Sequence, residues 1–222
     1  MSQGAPAAAR FDLVRFVRHP EPQLSPIAGG RVRTFVRLWL ACLGTVLVTA
    51  PLSYLGSAVT GAGNRIDAVP HGTLILLAVV IAPLIEETTF RLVLTRFQVR
   101  YLIIAGAAAA FLLAPWGLLV LVAVLVAVAV PGWRRGLEAQ WSKHFPVVFW
   151  TSALLFGLLH GANWTFDKVG WWGVALIPLL VLPQAGLGLV LGAARVRLGL
   201  AGSMLLHAAY NGTVLAVTLL GS

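Results

Sequence analysis

From residue 35 onward the chain alternates long apolar runs with short polar stretches. A helix needs about 20 apolar residues to cross a hydrocarbon layer of about 30 Å, and it satisfies all its backbone polar groups internally. The runs predict spans at 35–59, 73–97, 145–163, 174–194 and 198–220. Residues 102–130 do not fit this scheme as one helix. At about 1.5 Å per residue such a helix would be about 43 Å long, too long for the layer even when tilted. Both flanks are basic, with Arg96 and Arg100 before the run and Arg134, Arg135 and Lys143 after it. Basic residues gather on the cytoplasmic side, so the run should cross an even number of times, as a short hairpin broken near Ala114-Pro115-Trp116-Gly117. The expected fold is an all-α polytopic transmembrane bundle, about five full spans plus a short membrane hairpin at 102–130.

Residues 1–34 read as a cytoplasmic N-terminal arm, broken by Pro6, Pro20, Pro22, Pro26 and Gly29-Gly30, and residues 35–222 as the transmembrane domain. Within the arm, 11–18 mixes apolar and basic residues in a way that suits an anionic membrane surface. About 34 polar residues precede the first run, so no cleaved secretory leader is expected and the first span should remain as an anchor. Composition agrees: 59% of residues are hydrophobic and 10% charged, with mean hydropathy +0.90. The net charge of +9 comes from residues that precede the first run or punctuate the gaps, which argues for cytoplasmic loops and against a nucleic-acid-binding face. Cys42 is the only cysteine, which excludes an intramolecular disulfide and a cysteine-rich metal site.

Against this apolar background, Ile85-Glu86-Glu87-Thr88-Thr89-Phe90-Arg91 stands out. An ionised group at the centre of a span costs about 2.5–3.5 kcal/mol, so intramembrane acids mark functional sites. Glu87 and Arg91 lie one helical turn apart and can pair, whereas Glu86 points about 100° away and is left over. The other scarce polar groups recur at the same spacing, Phe156 with His160 and His207 with Asn211. Three helices thus bring a spare carboxylate, two imidazoles and an amide toward one interior. A carboxylate in such a pocket can take a proton from water, and amide or imidazole donors can hold the oxyanion that forms. Two histidines and a carboxylate, Glu86, His160 and His207, also match a catalytic zinc pattern. No His-Glu-x-x-His is present. Tyr210 and Ser203 are candidate supporting donors.

Glu86-Glu87-x-x-x-Arg91, Phe156-x-x-x-His160 and His207-x-x-x-Asn211, in this order on separate helices, resemble the CPBP (CAAX protease and bacteriocin-processing, Abi) family of intramembrane proteases. The resemblance covers roughly 74–217 and makes 35–222 a protease domain. It implies an intramembrane endopeptidase acting on a membrane-associated protein or peptide, in the bilayer of a bacterial plasma membrane with the N-terminus cytoplasmic. It also implies that Glu86 activates water with His160 and that His207 and Asn211 polarise the carbonyl. Glu87 and Arg91 would support the site. Family members are described both as Zn2+ metalloproteases and as metal-free glutamate enzymes, and the sequence leaves both open. The site is expected to be reached from the cytoplasmic half. The alternatives from other classes are a catalytically silent membrane scaffold or bacteriocin-immunity factor of the same fold, and a proton-coupled transporter, for which no internal repeat is seen.

Overall fold

Helices follow the apolar runs, and several of their ends are set by side chains arriving from elsewhere. The computed structural model describes residues 11–22, 30–95, 97–113, 116–166 and 170–221. Helix α1 (Leu13–Arg18) is started by Asp12, whose carboxylate accepts the Arg15 N–H at 3.1 Å. Its Phe16 is buried edge-on against Phe149, ring centroids 5.4 Å apart. Part of the arm therefore docks on the bundle. Helix α2 (Arg31–Thr60) ends at Gly61, which takes the left-handed conformation that glycine adopts without steric cost.

Helix α3 (His71–Arg91) carries the acidic motif. It is α-helical over His71–Leu76, widens to a π turn over Leu77–Ile81 and resumes over Ala82–Arg91. Pro83 accounts for the widening, because it has no N–H to give and its ring displaces the carbonyl one turn back. In the π turn the Ala82 N–H bonds the Leu77 carbonyl, which leaves the Ala78 carbonyl without an intrahelical donor. The helix stops at Arg91, not at residue 97 as its apolar run suggests. Buried Arg195 takes over there, donating Nε to the Arg91 carbonyl at 2.8 Å and Nη2 to the Leu92 carbonyl and the Thr95 hydroxyl, both at 3.0 Å.

The long run 102–130 is two helices, α4 (Val99–Leu112) and α5 (Gly117–Ala129). They pack antiparallel: a Cβ on Gly106 would stand 3.2 Å from Val124, and one on Gly117 would overlap the Ala110 backbone. The Ala114-Pro115 part of the expected break lies outside the described residues, as does Arg96. The basic stretch after this run is helical too, as α6 (Pro131–Lys143), with Pro131 in its first turn. Helix α7 (Phe145–Leu159) ends in a 3-10 turn over His160–Asn163. Trp164–Thr165 then pairs antiparallel with Gly63–Asn64, so the 61–70 and 163–166 segments share one end of the bundle.

Helix α8 (Leu182–Leu220) is broken at Gly199, whose φ of 84° and ψ of 178° are non-helical. Two arms result, 182–198 and 200–220. The Ser203 hydroxyl lies 3.0 Å from the Leu191 carbonyl, whereas a straight helix would hold residues twelve apart at about 18 Å. The arms are therefore folded back on each other. Arg31 reaches the turn from α2 and bonds the Leu198 carbonyl at 2.7 Å. Among the described residues, four stretches, Arg31–Thr60, His71–Arg91, Phe145–Asn163 and Gly173–Leu220, are long and apolar enough to cross a membrane, and the last is the one that doubles back.

Helices α7 and α8 approach closely through small residues, as membrane helices do when dispersion and backbone fit drive association. A Cβ on Gly157 would meet Ala185 at 2.8 Å, and one on Gly188 would meet the Ala153 carbonyl at 3.0 Å. The core beside this contact contains Leu38, Cys42, Phe156, Leu191, Leu206 and Tyr210. Large apolar side chains on α2 and α5, such as Leu47, Val48, Leu119 and Val126, are exposed, as a lipid-facing surface requires. The fold is a helical membrane bundle.

Candidate functional site

Three elements converge on the acidic motif: α3, the end of α7 and the second arm of α8. Glu87 and Arg91 are fully buried and Glu86 is 8% exposed. The two neighbouring acids live in different surroundings. Glu87 accepts a short hydrogen bond from Ser203, faces His207 Nδ1 at 3.1 Å and lies 3.8 Å from Arg91 Nε as an ion pair. Glu86 Oε2 is buried, has no hydrogen-bond partner among the described residues, and stands 3.9 Å from His207 Nε2. One carboxylate is saturated and the other is open. A carboxylate oxygen only accepts, so the Nδ1 that faces Glu87 is the donor nitrogen of His207. Its Nε2 edge is thereby turned toward Glu86.

Phe156 is the hub of the packing. The Arg91 guanidinium lies over its ring at 4.0 Å, and the rings of His160 and His207 sit 4.8 and 5.7 Å from it. His160 Nδ1 is 2.8 Å from the Phe156 carbonyl. A carbonyl can only accept, so Nδ1 carries the proton and Nε2 is the free edge. Because α7 gives way to a 3-10 turn at His160, this imidazole sits at a helix end.

Asn211 Nδ2 donates to the Ala78 carbonyl at 2.7 Å, the same carbonyl that the π turn and Pro83 leave free. The amide carries two hydrogens, so one remains available. A cavity of about 510 Å3 is lined by His160, His207, Tyr210, Asn211 and Gln184. A second, of about 190 Å3, is lined by Glu86, His160 and Asn163. His160 is the wall the two share. Gln184 Oε1 is buried without a partner among the described residues.

The larger cavity opens beside Asn64, Asp67 and His71, the end where Gly63–Asn64 pairs with Trp164–Thr165. Entry from the end where the basic residues gather was the expectation from sequence, and the geometry differs. That end is plugged by Arg195 across the last carbonyls of α3 and by Arg91 packed on Phe156.

Each residue singled out by the sequence is accounted for. Glu86, Glu87, Arg91, Phe156, His160, His207 and Asn211 come together around Phe156 and the two cavities. The zinc set of Glu86, His160 and His207 does not come together as a ligand sphere: among the described residues, no group of three His, Cys, Asp or Glu side chains is placed to hold a metal ion. His207 gives Nδ1 to Glu87 and His160 gives Nδ1 to the Phe156 carbonyl, so each turns its Nε2 edge toward the cavities.

Ser203 is only a candidate donor in the sequence and Arg195 merely falls in the gap between two apolar runs, yet both are buried partners of the motif helix. Glu87 leaves no unaccompanied charge, so the need for a donor near it was legible. Which residue supplies it depends on the reversal at Gly199.

The fold and site define a class, membrane-embedded helical proteins with an open buried carboxylate beside two imidazoles. Residues 70–213 match the family described as Type II CAAX prenyl endopeptidase Rce1-like. The match spans well over half of the chain, which belongs to this family of intramembrane proteases. No curated protein matches the chain. No solved structure matches it either.

Proposed function

We propose that the chain is an intramembrane endopeptidase in which Glu86 takes a proton from the water that attacks the scissile carbonyl of a membrane-associated protein or peptide. The observation that carries this reading is the contrast between the two acids: Glu87 is held by Ser203, His207 and Arg91, while Glu86 Oε2 is buried and free beside the His207 Nε2 edge. A base must have an unengaged lone pair within reach of the proton it abstracts. Glu86 has one.

In the proposed step, water is held between Glu86 and the Nε2 edge of His160. Its oxygen bonds to the carbonyl carbon as its proton passes to Glu86. The remaining Asn211 hydrogen stabilises the negative oxygen, while His207, whose proton is held by Glu87, lines the pocket with its Nε2 edge. Glu86 then returns the proton to the departing nitrogen, the C–N bond breaks, and a carboxylic acid and an amine leave, the acid passing its proton to the amine. Glu87, Arg91 and Phe156 fix the imidazoles and take no part in bond making.

With the N-terminus and the basic end of the bundle on the cytoplasmic side, as the charge distribution favours, substrate reaches the site from the opposite side, past Asn64 and Asp67. The test is Glu86→Gln in the purified chain, assayed against a set of membrane peptides. Cleavage should fall by at least about a hundredfold, the least that a positioned base contributes. Cleavage retained at the original rate would refute the assignment.

A further inference from the structure

At the plugged end of the bundle, α1, the start of α2 and the Gly199 turn enclose a separate cavity of about 120 Å3. Its polar wall is Arg33, Arg37 and Arg197, over a floor that includes Leu38 and Ala41. Among the described residues, no carboxylate lines it. Arg197 is placed by a stacking contact with Phe11, its guanidinium 4.9 Å from the ring centroid. Arg33 and Arg37 are exposed and one turn apart on α2. Like charges at that spacing repel, so the Arg33 and Arg37 guanidiniums at the edge of one hollow call for an anion.

The surroundings say which anion. Arg37 is the last charged residue of α2, and the apolar part of the span begins there. Leu40, Gly44 and Leu47 continue the Arg33–Arg37 face along the helix at helical spacing, and all three are exposed. A Cβ on Gly44 would meet nothing within 4 Å, so this stripe is open to an acyl chain. A basic hollow at the head of an apolar, lipid-facing stripe has the shape of a lipid: phosphate at the top, hydrocarbon below.

We propose that this hollow binds the phosphate of an anionic phospholipid and that the bound lipid clamps α1 and the Gly199 turn to α2. The proposal does not depend on the proteolytic reading. Arg33 and Arg37 reach the hollow from an exposed helix face, so replacing them leaves the core intact.

The experiment titrates phosphatidylglycerol, phosphatidylcholine and inorganic phosphate separately into the purified full chain in a neutral detergent and follows thermal unfolding. Phosphatidylglycerol should raise the midpoint, and the other two should not. In the double variant Arg33→Gln/Arg37→Gln the apparent affinity for phosphatidylglycerol should fall roughly thirtyfold, from the contribution expected of two basic residues at a membrane surface. The variant Arg135→Gln/Lys143→Gln, at exposed basic positions on α6, should keep it. Equal protection by phosphatidylcholine, or an unchanged affinity in the Arg33/Arg37 variant, would overturn the proposal. So would an equal loss in the α6 variant, which would mean diffuse surface attraction. Protection by phosphate alone would assign the hollow to a soluble anion and overturn the lipid.

Discussion

Replacing Glu87 by glutamine keeps the side chain's size but leaves Arg91 as a buried cation whose carboxylate partner is gone. Breaking a buried pair from one side costs about 3–5 kcal/mol, so Glu87→Gln should lower the thermal midpoint sharply. Glu86→Gln should leave it nearly unchanged, because Glu86 Oε2 makes no hydrogen bond among the described residues that the substitution would remove. Comparing the two melting curves tests the division of labour separately from any assay of cleavage. Equal destabilisation would mean that both acids are structural. The i, i+4 spacing already identified Glu87 as the acid that Arg91 can reach. Ser203 and the Nδ1 edge of His207 were not visible as its partners, because neither lies near Glu87 in the chain.

At the scale of elements, two breaks in regular helix build the site. The π turn at Leu77–Ile81, imposed by Pro83, exposes the Ala78 carbonyl that positions Asn211. The reversal at Gly199 brings the second arm of α8 back along the first, setting Ser203 beside Leu191 and both beside Glu87. Gly199 holds a positive φ that an L side chain adopts at a cost of about 1–3 kcal/mol. Gly199→Ala should therefore lower the thermal midpoint although a Cβ there would meet nothing within 4 Å. An unchanged midpoint would show that the turn is not under backbone constraint. The sequence gives the spans on either side of this turn, since Arg195 and Arg197 interrupt the apolar run. It does not show that Arg195 is folded inward to cap α3, because a basic residue between two spans usually faces water and headgroups.

For the molecule as a whole, the closed and open ends of the bundle decide how a substrate arrives. Asp67 is exposed at the mouth of the larger cavity, and Cys42, the only cysteine, is buried. A cysteine at position 67 would thus be the one accessible thiol. Asp67→Cys carrying a bulky thiol label should lose most cleavage, whereas Arg135→Cys carrying the same label should keep it. A membrane-impermeant label applied to intact cells should reach position 67 and not position 135. Full cleavage by the labelled Asp67→Cys chain would show that substrate enters elsewhere.

The sequence by itself determined the class of fold, named the candidate site residues and paired Glu87 with Arg91. Those properties depend on apolar run length and on i, i+4 spacing, which are local. Only the tertiary structure decided which end of the bundle is open, which donors saturate Glu87, and where the arm's Phe16 docks. Each of these depends on contacts between segments far apart in the chain. Charge and hydropathy fix the level of a helix in the bilayer, but not the rotation and close packing that place one side chain against another.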